Sequence, residues 1–155
     1  PDWQNLTRYN VQTEVGLQLF GYQIDNRPYQ PGETLPISIF WRALRPLPEN
    51  YRVSLYLEDV NRLIKRVEQP LRDPGGLATR RWTTAGYVED RYELQLPSDI
   101  FAGNYRVALE VLTCENLATC NRANRLTFFE QNDSSQPGIP EKTLQLPVII
   151  TIAAS

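Results

Sequence analysis

The sequence predicts an all-β sandwich of the immunoglobulin or fibronectin-III kind, with about seven to nine antiparallel strands. Three observations carry that expectation. Apolar residues recur with a period of two in segment after segment, the pattern of strands with one buried face. Turn formers punctuate those segments: the chain has 12 prolines and 8 glycines, and some of them mark turns at Pro31-Gly32, Pro46, Pro48, Asp73-Pro74-Gly75-Gly76 and Pro97. No window keeps a helical period. Many short strands with turns between them and no helices imply a sandwich or a barrel.

The elements follow in order. Residues 1–14 have no clear period and read as a linker or arm, pinned by Trp3 or Tyr9; residues 15–155 form one sandwich domain. The first strand, near 15–25, changes phase. Val15, Leu17 and Leu19 share one parity, Phe20, Tyr22 and Ile24 the other, and Gly21 sits at the switch. A bulge there restores one buried face. Leu35, Ile37, Ile39 and Trp41 share a face, as do Val53, Leu55 and Leu57. The segment RLIKRVE, 62–68, is a weaker strand that pairs back through a turn at Asp59 to Asn61. Val88, Tyr92, Leu94 and Leu96 lie against Glu89, Arg91, Glu93 and Gln95. The last strand carries Leu144, Leu146, Val148, Ile150 and Ile152 on one side. The polar stretch 130–142 reads as a mobile loop before it.

The stretch DIFAGNYRVALEV, 99–111, places Asp99, Gly103, Tyr105 and Val107 as in a tyrosine corner. There a tyrosine at the start of strand F turns its hydroxyl back onto the preceding connection. Tyr105, Asp99, Gly103 and the core residue Trp41 are therefore structural expectations, not chemical ones.

Bulk composition narrows the function classes. A chain of 155 residues is large enough for one domain with its own core. Its formal charge is -2 and its 16 basic residues are scattered, so no attraction to nucleic acid is expected. There is no histidine, which removes Ser-His-Asp and Cys-His catalysis. There is no methionine either, so Pro1 is not a translation start and the chain is expected to be a mature form or a piece of a longer protein. The apolar run PVIITIAA near the end is far short of the roughly 20 residues that cross a bilayer.

Five phrases carry a resemblance when taken in order: LFGYQID (19–25), PGETLPISIFWRA (31–43), YRVSLYLED (51–59), DPGGLATRRWTTAGYVEDRYELQLP (73–97) and SDIFAGNYRVALEV (98–111). Within them stand a T-x-x-W at Thr79 to Trp82 and a D-x-Y at Asp90 to Tyr92. Together they resemble the β-sandwich domain appended to polyprenyl-phosphate-dependent glycosyltransferase-like membrane proteins of Chloroflexi-type bacteria. The match covers roughly residues 17–112; after Val111 the chain departs from the family's usual Gly-Leu-Tyr. The resemblance implies an extracytoplasmic, non-catalytic module, tethered through its parent protein, and it carries no catalytic residue onto this chain.

Among side chains that could do chemistry, Cys114 and Cys120 frame a short loop, CENLATC. A disulfide between them is expected to add roughly 2 kcal/mol by restricting the unfolded chain, and it favours an oxidising compartment. Two thiols without histidine make no structural zinc site. Trp82 and Tyr87 flank a Thr-Thr-Ala-Gly turn and are the aromatics expected to be exposed, where ring faces stack on sugars. Asp59, Asp73, Glu89, Asp90 and Asp99 lie near strand ends but lack D-x-D-x-D spacing, so no metal site is expected. No catalytic residue and no cofactor are expected. The function read from the sequence is an accessory or protein-interaction domain of a larger envelope protein, partnered by another protein or by the rest of its parent. The alternative is a carbohydrate-binding module that uses Trp82 and Tyr87 on a glycan.

Overall fold

A computed structural model describes residues 6–60, 62–113, 124–130 and 141–154. They form nine strands: β1 Thr7–Thr13, β2 Leu17–Gln23, β3 Thr34–Ala43, β4 Arg52–Asp59, β5 Arg62–Pro70, β6 Val88–Gln95, β7 Gly103–Leu112, β8 Phe128–Glu130 and β9 Leu144–Ile152. A 3-10 turn, Thr79–Arg81, lies between β5 and β6. The strands make two antiparallel sheets, ordered β6-β3-β2-β1-β8 and β5-β4-β7-β9. This is the sandwich that the period-two pattern predicts. β3 and β6 pair as strands B and E do in immunoglobulin-like domains, and β4, β7 and β9 lie as C, F and G.

The inward faces are those the alternation indicates. Leu35, Ile37, Ile39 and Trp41 of β3 and Tyr92 and Leu94 of β6 meet Val53, Leu55 and Leu57 of β4 and Val107, Leu109 and Val111 of β7 across the core. Leu144, Leu146, Ile150 and Ile152 of β9 close it. Trp41 is fully buried. β4 and β5 are a hairpin, with Asp59 opposite Arg62. The β2–β3 register shifts between Leu19 and Gly21. Leu17, Leu19 and Tyr22 therefore all enter the core cluster, and Phe20 is left on the outer face. Gly21 is required there, since a Cβ would lie 2.8 Å from the Thr7 carbonyl oxygen.

Residues 7–13, within the stretch expected as a linker or arm, supply β1, which hydrogen-bonds between β2 and β8. Its polar side chains hide the alternation: only Val11 and Thr13 are buried. β8 is too short to show a period. It pairs with β1, and Phe128 bridges to Glu141 just before β9. Cys114 and Cys120 lie outside the described residues, as do Trp3 and residues 131–140 of the expected mobile loop.

At the entrance to β7 the Tyr105 hydroxyl donates to the Phe101 carbonyl oxygen at 2.6 Å. Gly103, in the turn between them, has φ +149°, which side chains disfavour. Asp99 is exposed in the same connection. A second tyrosine does the same work elsewhere: Tyr29 donates to the Asp25 carbonyl oxygen at 2.8 Å.

Candidate functional site

The alternation of a strand that buries one face sends its other residues outward. On the five-stranded sheet, those outward residues build a groove. Arg8 and Asn10 come from β1, Gln18 and Phe20 from β2, and Arg42 from β3; Leu6 precedes β1 and Tyr87 precedes β6. The groove holds about 450 Å³. Aromatic rings pack in series from beneath the groove to its rim. Phe20 lies 5.9 Å from Phe40 and 4.3 Å from Tyr87, centroid to centroid, with the rings tilted at 58° in each pair. Tilted contacts of this kind are the favoured aromatic geometry. Phe20 and Phe40 are buried, whereas Tyr87 is 52% exposed.

Arg42 is held beside those rings. Its Nη1 donates to the Tyr87 hydroxyl at 3.1 Å, and its guanidinium carbon sits 5.5 Å from the Tyr87 ring centroid. The groove thus offers an aromatic surface ringed by planar polar groups: two guanidiniums and two carboxamides. Such groups satisfy adjacent hydroxyls in pairs, and the apolar C–H face of a pyranose suits a ring. Phe20, Arg42, Arg8, Gln18 and Asn10 were not anticipated from the sequence. Their signal was the outward parity of β1, β2 and β3, legible only once the register at Gly21 is known.

Trp82 is placed differently from expectation. It is 8% exposed and belongs to the core cluster. Its indole N–H donates to the Leu77 carbonyl oxygen at 2.9 Å. The connection that carries it is pinned inward by Thr79, whose buried hydroxyl donates to the Glu49 carbonyl oxygen and accepts from the Tyr51 N–H. Trp82 therefore closes an end of the sandwich and presents no ring face to a ligand. The turn chemistry of residues 83–86 suggested exposure at both of its flanks, but only Tyr87 has it.

Two other clefts contain chemistry of note. One, of about 620 Å³, runs between the end of β2 and β9 and is lined by Tyr22, Asp25, Tyr29, Val148 and Ile149 among others. Another holds Arg80 and Arg81 beside Asn50 and Leu77. Where the edge strands β5 and β6 face each other, the partly buried Asp90 accepts from the Tyr92 hydroxyl at 2.7 Å and from the Gln69 amide at 3.3 Å. Burial raises its pKa to about 6 against the partial relief of those bonds. Asp90 and Tyr92 are inward residues and do not reach the groove. Among the described residues, no three Cys, Asp or Glu side chains gather where a metal ion could sit.

No family model matches the chain, and no curated protein matches it in sequence. The resemblance to the glycosyltransferase-associated sandwich domain thus has no support from these sequence comparisons. Among solved structures, the chain is similar to one described as the crystal structure of the C-terminal domain of wzt. The two are 7% identical with a TM-score of 0.48, over 97% of this chain and 89% of that one.

Proposed function

We propose that this chain is a non-catalytic binding domain that holds a glycan in the groove on the outer face of its five-stranded sheet. The observation that carries this reading is the half-exposed Tyr87 ring, continuous with Phe20 and flanked by Arg42, Gln18 and Asn10. An aromatic face beside paired polar groups suits a sugar ring, apolar on one side and hydroxyl-rich at its rim. The absence of histidine from the chain, and of any carboxylate among the described residues that line the groove, favours holding over hydrolysis. The sequence resemblance supports placing the domain outside the cytoplasm, attached to a larger envelope protein.

The test is a glycan array probed with the intact domain, followed by calorimetry on each hit for the wild type and Tyr87→Ala. Binding is expected to fall about tenfold, equivalent to roughly 1.4 kcal/mol, with melting unchanged. A hit indifferent to Tyr87→Ala would sink the groove as the site.

A second reading, an accessory domain that docks on protein, is favoured by β9. That strand pairs with β7 on one side, and among the described residues only Tyr29 pairs with it on the other, through Ile152. Ile149 is half exposed on this edge strand. An open edge can accept a partner strand. Loss of association with the parent protein on Ile149→Glu, but not on Tyr87→Ala, would select this reading.

A further inference from the structure

Charge is shared unevenly between the groove and the rest of the chain. The whole protein carries a formal charge of -2. Among the described residues, those that line the groove nevertheless include two arginines and no acid. Arg8 and Arg42 come from different strands, β1 and β3, with β2 running between them. Neither is ion-paired among the described residues, although the same chain pairs Arg27 with Glu33 and Arg125 with Glu110.

Arg42 is also fixed in position. The bond to the Tyr87 hydroxyl uses one of its N–H groups, and a guanidinium has five. The remaining fork matches a carboxylate or phosphate, which a hydroxyl does not fill. Asn10 and Gln18 supply groups suited to neutral hydroxyls in the same space. A ligand that is a neutral sugar throughout leaves both positive charges without a counterpart among the described residues.

Resting on the reading of the groove as a glycan site, we infer that its ligand is an acidic glycan, one bearing carboxylate or phosphate groups that Arg8 and Arg42 hold beside the Tyr87 ring. The two anion types share the chemistry that the fork recognises, and separate array features distinguish them.

The experiment is an array carrying neutral glycans with uronate-bearing and phosphate-bearing counterparts. It is probed with the wild type, Arg8→Gln, Arg42→Gln, Tyr87→Ala and Arg80→Gln. The last removes the same charge outside the groove. Acidic glycans are expected to bind, to lose about tenfold in each groove-arginine variant, and to be unaffected by Arg80→Gln. Their binding is also expected to weaken as salt rises from about 50 to about 300 mM, as screened charges do. Neutral glycans that bind through Tyr87 and ignore both arginines would overturn the acidic ligand and leave the groove standing. Hits indifferent to Tyr87 and both arginines, or an array without hits, would overturn both.

Discussion

The Tyr105 hydroxyl reaches back four residues to the Phe101 carbonyl oxygen and closes the connection between β6 and β7 with a 2.6 Å hydrogen bond. The ring itself is buried in the core. One side chain thus ties the entrance of a central strand to the packing between the sheets. Tyr105→Phe keeps the ring and removes only the bond. Denaturant unfolding is expected to show a loss of about 1 kcal/mol with an unchanged m-value. A midpoint equal to the wild type's would show that the bond contributes nothing.

The two aromatics that flank residues 83–86 should separate cleanly in stability. Trp82→Ala removes a core side chain and a buried hydrogen bond to Leu77, so a loss of about 3–5 kcal/mol is expected. Tyr87→Ala changes a half-exposed ring and should cost less than about 1 kcal/mol. Thermal or urea melts of the two variants check the order, and a reversed order would show that Trp82 is not part of the core.

Gly21→Ala tests the bulge. The new Cβ would stand 2.6 Å from Leu6 Cδ1 and 2.8 Å from the Thr7 carbonyl oxygen. Leu6 can move, but the backbone of β1 cannot without losing its pairing to β2. A destabilisation of about 1–3 kcal/mol is expected, as for other overpacked sites. Leu6 also lines the groove, so ligand affinity should fall in the same variant.

Asp90 sets a pH dependence whose sign is unusual for a carboxylate. Burial raises its folded pKa from 3.8 to about 6. Between those values the folded state binds more protons than the unfolded one, so its contribution to stability falls as pH rises through the window. Above it, the ionised carboxylate remains a net cost. Asp90→Asn keeps an acceptor for Tyr92 and should flatten this part of the profile. At pH 7 it should stabilise the fold by on the order of 2 kcal/mol. Unfolding free energies of wild type and variant from pH 4 to pH 8 give the difference directly. A wild type that gains on the variant as pH rises would refute the assignment.

Much of the architecture was legible because burial on one face imposes a period of two, and that period depends only on neighbours along the chain. It identified the inward residues of β3, β4, β6, β7 and β9, and it located the phase change at Gly21. β1 escaped because its outward positions are polar and its inward ones few. β8 escaped because three residues show no period.

Spacing along the chain was enough to specify the sandwich, the faces that form its core and the placement of Tyr105 before a central strand. Each is a matter of local spacing. That Trp82 is buried and Tyr87 exposed depends on packing between distant segments, since both border the same turn and differ in what the rest of the chain packs against them. The groove depends on the same long-range packing. Arg8, Gln18, Phe20, Arg42 and Tyr87 come from different parts of the chain, and β1, β2, β3 and the entrance to β6, together with the register shift at Gly21, bring them to one surface.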